Sequence, residues 1–212
     1  MRTLLILSFL NALAICLWTA SSTAGADPQR TMIDLPDDIL MQRLLNQGPM
    51  VHIEFNEKDL YHKGLAIVDI QAPPDTVWRA LTDFGGYPTF MPRVEKTTVR
   101  KKNDVTFVDF ELDTPLVSTA YTNRYHMDPA HRWLKIETVK GDAKGSQFTW
   151  HVRPHGSGTR VYNDGIVRNF SSIAQRLDDA QQTITIGINV VTLLSAAKAV
   201  KKRAENMQQG AR

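Results

Sequence analysis

Apolar and polar residues alternate along the middle of the chain in short segments that recur about every ten residues. Turn-forming residues separate these segments, as at Lys102-Asn103-Asp104 and Gly141-Asp142. Alternation over such lengths is typical of strands that bury one face, and closely spaced strands of this kind form an antiparallel meander. The predicted strands are Met50–Phe55, Leu60–Ile70, Val94–Arg100, Val105–Leu112, Ser118–Met127, Arg132–Val139, Lys144–Arg153 and Thr159–Asn169.

The alternation also assigns the two faces of the predicted sheet. Phe110 shares one face of its strand with Val108 and Leu112, and Trp150 lies on the apolar face of a later strand. The opposite positions are polar or charged and comprise Asp109, Glu111, Lys135, Glu137, His151 and Arg153. We therefore expect a single curved antiparallel sheet with one apolar face and one face largely exposed to water.

Two regions before the long run of strands have the spacing of short amphipathic helices. Asp37–Leu45 follows a proline and stops before Gly48-Pro49, which predicts an N-terminal helix. Ala72-Pro73-Pro74 ends the second strand, and proline suits the first turn of the helix that follows. That helix is predicted to end at Gly85-Gly86, because glycine reaches positive φ without strain. A second helical turn is predicted to open at Tyr87-Pro88.

The last predicted element is a long helix from Ser171 to about Met207, a stretch without proline. One apolar stripe follows helical spacing and is expected to complement the sheet. It comprises Ile173, Leu177, Ala180, Ile184, Ile188 and Val191. The segment Thr183–Leu194 is also rich in β-branched residues, so periodicity alone leaves a strand open there.

A second apolar stripe lies nearly opposite the first and comprises Ile186, Val190, Leu193 and Val200. The middle of the helix is therefore apolar on all sides, and its outer face needs a cover. The N-terminal helix Asp37–Leu45 is the predicted cover. A dimer partner and a membrane surface remain the alternatives.

The first residues have the features of a secretory signal peptide. Arg2 precedes an apolar run from Leu4 to Trp18, and Ala24-Gly25-Ala26 supplies the small residues of a cleavage site. We expect cleavage after Ala26, which leaves 186 of the 212 residues. An uncleaved anchor is the alternative, although the apolar run is short for a transmembrane span.

Charge and cysteine content narrow the functional classes. The net charge of +3 comes from a small excess of basic residues, and no long basic run indicates a nucleic-acid-binding surface. The single cysteine, Cys16, lies in the predicted leader. A lipid anchor on Cys16 is disfavoured because bulky Ile15 precedes it. The mature chain thus has no disulfide, and its core alone stabilises it.

The stretch from Ile70 to Val94 reads IQAPPDTVWRALTDFGGYPTFMPRV and resembles the opening motif of the polyketide cyclase/dehydrase and coenzyme Q-binding family. That family lies within the START-like superfamily, also called SRPBCC, Bet v 1-like or helix-grip. The likeness is looser from about Val51 to the C-terminus and does not include residues 1–45. The matching residues are Ile70, Ala72, Pro73, Val77, Trp78, Leu81, Asp83, Tyr87, Pro88, Phe90, Pro92 and Val94.

The resemblance implies an α+β helix-grip fold, with a curved sheet of seven to eight strands around the long C-terminal helix. Together with the predicted leader and N-terminal helix, it divides the chain into a signal peptide (residues 1–26), a linker with the short helix (27–49) and a START-like domain (50–212). It also implies a cavity for an apolar ligand between sheet and helix, where Gly187 would leave room. The candidate cavity residues are Phe84, Phe90, Met91, Phe110, Tyr121, Trp150, Ile184, Gly187 and Ile188.

No residue pattern identifies a catalytic, cofactor or metal centre. The sequence has six histidines without a His-Glu-x-x-His motif, and it has no nucleophile-elbow, phosphate-loop or dinucleotide motif. Asp83 is explained by backbone hydrogen bonds in its turn. Tyr121, Asn123 and Tyr125 share one strand face and are candidates for polar contacts at a pocket.

Three hypotheses follow. The preferred one is a non-catalytic carrier of a lipid, quinone or polyketide-like molecule in the periplasm or an equivalent exported space. The second is a cyclase, aromatase or dehydrase, which would need positioned acid and base groups in the cavity. The third is a module that docks a protein partner through its apolar C-terminal helix. Export favours the first, because it separates the protein from cytosolic polyketide assembly.

Overall fold

The computed structural model describes residues 39–113, 119–168 and 181–210. The predicted leader, the linker and the predicted helix start at Ser171 lie outside the described residues. The described elements are α1 (Ile39–Gln47), β1 (Met50–Phe55), β2 (Tyr61–Ile70), α2 (Pro74–Thr82), a 3₁₀ helix (Phe84–Thr89), β3 (Val94–Lys102), β4 (Val105–Leu112), β5 (Thr119–Asp128), β6 (Trp133–Gly141), β7 (Gln147–His155), β8 (Gly158–Ile166) and α3 (Gln181–Gln209).

The eight strands form one antiparallel sheet with the order β1-β2-β8-β7-β6-β5-β4-β3. Helix α3 runs along β2 on one face of this sheet. Gln182 Nε2 donates to the Asp59 carbonyl oxygen at 2.7 Å just before β2, and Lys201 Nζ donates to the Asp69 carbonyl oxygen at 2.6 Å near its end. The predicted α+β helix-grip fold is confirmed, and Thr183–Leu194 is helical.

The sheet face that carries α3 is called the inner face, and the opposite one the outer face. Val108, Phe110 and Trp150 belong to the buried core on the inner face, as the alternation predicts. The outer face departs from the prediction beside β2. Leu65 and Ile67 alternate with the inward-facing residues of β2 and are nevertheless fully buried. His151, expected on the exposed face, is also buried.

Helix α1 packs against the outer side of β2. Met41 and Leu45 are its buried side chains, and Gln42 Nε2 donates to Asp69 Oδ2 at 3.5 Å. Asp69 lies between Val68 and Ile70, which face the core shared with α3, so its own side chain is on the outer face. The prediction that this helix covers α3 is therefore wrong. The apolar outer positions of β2 are the surface that α1 meets.

Two predicted boundaries also change. Gly85-Gly86 does not end a helix before the next turn, because both glycines lie within the 3₁₀ helix. A Cβ on Gly86 would lie 2.3 Å from Asp83 Oδ2, which explains why glycine occupies this position. Strand β7 begins at Gln147 rather than Lys144, because the turn between β6 and β7 extends to Ser146, whose amide donates to the Ala143 carbonyl oxygen at 3.0 Å.

A buried ion pair joins β2 to β8 on the outer face. Asp69 and Arg160 are cross-strand partners, and the Arg160 side chain is only 2% exposed. Its Nε donates to Asp69 Oδ1 at 2.7 Å, and its Nη2 donates to Asp69 Oδ2 at 2.9 Å and to Gln42 Oε1 at 2.7 Å. The guanidinium thus ties α1 and two strands together.

Removal of the Asp69 charge is expected to destabilise the fold strongly. Asp69→Asn leaves the buried guanidinium without a counter-charge, which costs about 3 to 5 kcal/mol in such pairs. Burial alone would raise the pKa of Asp69, but the hydrogen bonds and charge of Arg160 hold that pKa below its usual value. The stabilisation is therefore present above the ordinary aspartate pKa of about 4 and is lost as the pH falls through the lowered folded-state pKa.

Urea unfolding at neutral pH and across the acid range measures this effect. Asp109→Asn is the matched control, because Asp109 makes a similar cross-sheet pair with Arg100 on an exposed surface. Exposed pairs contribute at most about 1 kcal/mol. Equal losses of unfolding free energy in the two variants would contradict the special role of the buried pair.

Candidate functional site

An aromatic cluster covers part of the inner face of the sheet. The Phe84 and Tyr125 rings lie 4.4 Å apart between centroids, and Phe110 stacks on Tyr121 at 5.0 Å. Tyr87 lies between them and donates its hydroxyl to the Leu81 carbonyl oxygen at 2.6 Å. The 3₁₀ helix supplies Phe84 and Tyr87, while β4 and β5 supply the other rings. These rings pack against one another within the core of the inner face.

A polar network crosses the same face between β5 and β6. Thr138 Oγ1 donates to Asn123 Oδ1 at 2.8 Å, and Asn123 Nδ2 donates to the Tyr125 hydroxyl oxygen at 3.3 Å. Burial raises the pKa of the Tyr121 phenol to about 12 and raises that of Tyr125 further. Both phenols are therefore neutral at physiological pH, and the Tyr125 hydroxyl takes part in the network as a hydrogen-bond acceptor.

Asn163 is a buried amide on the inner face of β8. Its strand partners are Ala66 on β2 and Trp150 on β7. The residue is 2% exposed, and its Oδ1 has no hydrogen-bond partner. A buried acceptor without a partner is unfavourable by about 1 to 3 kcal/mol. This part of the inner face is therefore not arranged for maximal stability.

A pocket of about 340 Å³ opens where the α2–3₁₀ segment meets the ends of β3, β4 and β5. Its volume lies within the range of small-molecule sites. Phe84 belongs both to this pocket and to the aromatic cluster, so the two are adjacent. The lining residues are Trp78, Thr82, Asp83, Phe84, Gly85, Val99, Lys101, Thr106, Met127 and Pro129.

The pocket is lined by apolar and charged side chains. We call the apolar group of Trp78, Phe84, Val99 and Met127 its floor, and the charged pair Asp83 and Lys101 its rim. Asp83 Oδ1 accepts from the Gly86 amide at 3.2 Å, as the sequence predicts for this turn, and Asp83 Oδ2 accepts from Arg203 Nη2 at 3.3 Å. The Arg203 guanidinium also lies over the Phe90 ring, 5.4 Å from its centroid. Lys101 has no ion-pair partner among the described residues, so its ammonium group is available to a ligand.

Six of the nine predicted site residues lie on the inner side of the sheet. Phe84, Phe110 and Tyr121 belong to the aromatic cluster. Phe90 and Met91 are partly buried against the core, and Trp150 is buried within it. Only Phe84 also lines the pocket. A role in ligand binding for any of these residues stays a prediction.

The three predicted helix residues do not face the sheet. The buried positions of α3 include Leu193, Ala197, Val200 and Ala204, whereas Ile184 and Ile188 project on roughly the opposite side at about 100° per residue. Gly187 is exposed, and a Cβ there would meet nothing within 4 Å. The predicted position of Gly187 within the cavity is therefore wrong.

The reason for this error is the composition of the buried stripe. Asn189 lies on the sheet side because its Oδ1 accepts from the Val167 amide at 2.7 Å and its Nδ2 donates to the Thr185 carbonyl oxygen at 2.9 Å. Ala197 and Ala204 are small and contribute little to an apolar pattern. The more apolar stripe, which contains Val191, was consequently assigned to the wrong side.

Sequence reasoning also missed most of the pocket lining. Lys101 lies beyond the predicted strand Val94–Arg100 and Lys102 lies in the predicted turn, but both belong to β3. Lys101 pairs with Thr106 and lines the pocket with it. The sequence contains one signal for this position. If the strand continues past Arg100, alternation places Lys101 on the same face as Thr97 and Val99.

Titratable groups in the described part of the chain do not converge on the pocket as a metal site. Among residues 39–113, 119–168 and 181–210, no group of three or more potential ligands is placed to hold a metal. Burial raises the pKa of Asp164 to about 6. Asp164 pairs with Leu65 across β2 and β8, so its side chain lies on the outer face, away from the pocket.

Comparison with known proteins identifies the same family as the sequence motif. The profile of a family described as polyketide cyclase / dehydrase and lipid transport matches residues 70–174. The match begins at Ile70, where the motif begins, and the family resemblance is confirmed. No curated protein matches the sequence.

Solved structures share the fold at low sequence identity. A Thermus thermophilus protein is 20% identical with a TM-score of 0.58, over 66% of this chain and 94% of that one. The Zhui aromatase/cyclase from a Streptomyces species is 21% identical with a TM-score of 0.56, over 71% and 97%. A START superfamily protein from Mycobacterium smegmatis is 18% identical with a TM-score of 0.54, over 69% and 99%. At these identities the likeness concerns the fold.

The unpartnered amide of Asn163 gives a stability prediction. Asn163→Leu keeps a similar side-chain volume and removes a buried acceptor, so we expect a gain of about 1 to 2 kcal/mol in unfolding free energy. Urea unfolding measures it, with Asn123→Leu as control because Asn123 is fully hydrogen-bonded. The control is expected to lose stability. A loss in both variants would mean that the Asn163 amide is satisfied in solution.

Proposed function

We propose that this chain, which belongs to the polyketide cyclase/dehydrase and lipid transport family, is an exported carrier that binds an apolar small molecule bearing one acidic group. The observation that carries the proposal is the pocket of about 340 Å³ beside the aromatic cluster. Small-molecule sites of this kind combine apolar area with a few oriented polar groups.

The floor of the pocket supplies the apolar contact. Trp78, Phe84 and Met127 come from three separate elements and converge there with Val99. Burial of an apolar ligand against such surface contributes about 25 cal/mol per Å². Through Phe84 the floor adjoins the aromatic cluster, whose packing in the core supports the position of the Phe84 ring.

The rim of the pocket selects the polar group of the ligand. Asp83 already accepts hydrogen bonds from Gly86 and Arg203, whereas Lys101 is exposed and unpaired within the described part of the chain. An ammonium group at the mouth of an apolar pocket favours a carboxylate or another anion. The proposed ligand is therefore amphiphilic, with its apolar part on the floor and its acidic group at Lys101.

Binding without turnover fits the chemistry of the pocket. Its titratable lining residues are Asp83 and Lys101, and Asp83 is engaged as a turn acceptor. The alternative is a cyclase or aromatase, the activity that the family description and the Streptomyces relative name. Such an enzyme needs a positioned acid or base at the reacting carbon. Chemical identification of the molecule before and after incubation with the protein separates the two.

Export is part of the proposal and rests on the N-terminal sequence. Arg2, the apolar run Leu4–Trp18 and Ala24-Gly25-Ala26 together have the order of a cleaved leader. A carrier that works outside the cytoplasm without disulfides needs a well-packed core, which the sheet and α3 supply.

The first test is native mass spectrometry of protein recovered from the periplasm of a bacterial host, followed by organic extraction. We expect a chain that begins at Asp27 and carries an apolar adduct. Gly85→Trp should reduce occupancy at least about tenfold, because the new side chain fills the pocket and removes apolar contact. A Cβ at Gly85 meets nothing within 4 Å, and circular dichroism verifies that the variant is folded.

Gly187→Trp is the matched control, because Gly187 is also free of neighbours within 4 Å but lies on α3 outside the pocket. It should retain the adduct. Equal occupancy in folded Gly85→Trp and Gly187→Trp would place the ligand elsewhere. A chain that keeps residues 1–26 in the periplasm would overturn the leader assignment.

The second test measures the acidic group. Lys101→Met should weaken binding of the anionic probe anilinonaphthalene sulfonate about fivefold. A partly exposed ion pair contributes up to about 1 kcal/mol, which corresponds to that change in affinity. Binding of uncharged Nile red should not change. Fluorescence titration measures both. Lys102→Met is the control, since Lys102 follows Lys101 in β3 and points to the other face. Equal effects of the two substitutions on the anionic probe would contradict the role of Lys101.

A further inference from the structure

The outward stripe of α3 combines apolar and basic side chains on the side of the helix that faces away from the sheet. We define it as Ile184, Gly187, Ile188, Val191, Lys198 and Lys202, which share one side of the helix at about 100° per residue. Val191 is 62% exposed although it is β-branched and apolar. Ile184 and Ile188 beside it are half-buried, and Lys198 and Lys202 are exposed. Exposed apolar surface next to basic residues along one helix is typical of an interaction surface.

The β1–β2 turn adds exposed apolar residues beside the first turn of α3. Phe55 is 50% exposed and Leu60 is 48% exposed. The hydrogen bond from Gln182 Nε2 to the Asp59 carbonyl oxygen, 2.7 Å long, fixes this turn against the helix. The turn therefore adds two exposed apolar side chains near the N-terminal end of α3.

The composition of α3 would allow it to enter a membrane, but its contacts hold it on the domain. The stretch Gln182–Gln209 is long and apolar enough to span a bilayer, and only 28% of its most apolar window is buried. Its inward side is nevertheless packed through Leu193, Ala197 and Val200, which are fully buried. Such a helix presents one face to the domain and keeps the other for an interface.

The charges on α3 identify the partner. No acidic residue occurs in α3 before Glu205. Glu205 accepts from Lys201 at 2.8 Å, and Arg203 contacts Asp83, whereas Lys198 and Lys202 are exposed without an ion-pair partner among the described residues. A second copy of this stripe would offer no carboxylate to these lysines. An anionic lipid surface complements both halves of the stripe.

We propose that the outward stripe of α3, with Phe55 and Leu60, docks this protein on an anionic phospholipid bilayer. The apolar half lies at the level of the acyl chains, and Lys198 and Lys202 contact the phosphate groups. This surface is separate from the pocket, whose lining contains no residue of α3. The proposal goes beyond ligand binding and does not rest on it.

Vesicle co-sedimentation of the purified full-length chain and its variants tests the proposal. Each is mixed with vesicles of phosphatidylcholine alone or with equimolar phosphatidylglycerol. Any contribution of residues 1–38 is then common to all proteins. We expect binding to the anionic vesicles that weakens as salt screens the charges. Binding to pure phosphatidylcholine should be much weaker.

Two variants separate the halves of the stripe. Lys198→Glu combined with Lys202→Glu should lower the partition constant at least about 30-fold, because each lysine near an anionic surface contributes about a factor of five. Val191→Asp should lower it at least about fivefold, since it brings a charge to the apolar half. Both sites are exposed, and circular dichroism verifies that the variants are folded.

The control makes the same charge change elsewhere. Lys102→Glu combined with Lys135→Glu alters two exposed lysines on β3 and β6 and should leave vesicle binding within about twofold of the starting protein. Gly85→Trp, which blocks the pocket, should also bind vesicles normally. Failure of the pocket is thereby distinguished from failure of the membrane surface.

Three results would overturn the proposal. One is the absence of binding to anionic vesicles by the starting protein. Another is equal binding by the stripe variants and the control. The third is a concentration-dependent dimer in sedimentation velocity that Val191→Asp abolishes, because the stripe would then be an interface between copies of the chain.

Discussion

The close packing of α3 along β2 determines the rest of the structure. Leu193 approaches β2 at Gly64, where an added Cβ would lie 2.7 Å from Leu193 Cδ1. Ala197 and Ala204 continue the close approach as small, fully buried residues. The bond from Lys201 to the Asp69 carbonyl oxygen and that from the Gln71 amide to Glu205 Oε1 at 3.0 Å fix the register of the helix.

Because α3 follows β2, it lies near one edge of the eight-stranded sheet rather than over its middle. The α2–3₁₀ segment covers a different part of the inner face, where Phe84 and Tyr87 pack with the aromatic residues of β4 and β5. The pocket forms where that segment meets β3, β4 and β5, which lie at the opposite edge of the sheet from β1 and β2. Its position is thus a consequence of where the two helical regions divide the sheet between them.

Local patterns predicted the fold well and the pocket poorly. Alternation gave the strands and the inner face correctly, since residues such as Val108 and Phe110 are buried for the same reason that they alternate. The family motif led to Phe84 and to the turn held by Asp83. The pocket also depends on which strands are neighbours and on the placement of α2, and neither follows from local spacing.

Two errors have a common physical origin. On α3 a hydrogen-bonded asparagine and small alanines occupy the buried side, so apolarity did not indicate the packing face. The outer face of the sheet is expected to be largely exposed, but Arg160 on β8 is buried there because Asp69 neutralises its charge. In both cases a specific partner reverses the preference that the residue type has alone.

Arg203 has a mechanical consequence for the pocket. The 29 residues of α3 form one rod, and Arg203 joins this rod to the pocket rim at Asp83 and to the Phe90 ring. Gln182, about 30 Å away at 1.5 Å per residue, joins the same rod to the β1–β2 turn. The helix therefore connects the β1–β2 turn to the rim of the pocket. A displacement of α3 along its axis would therefore act on Asp83, which lines the pocket.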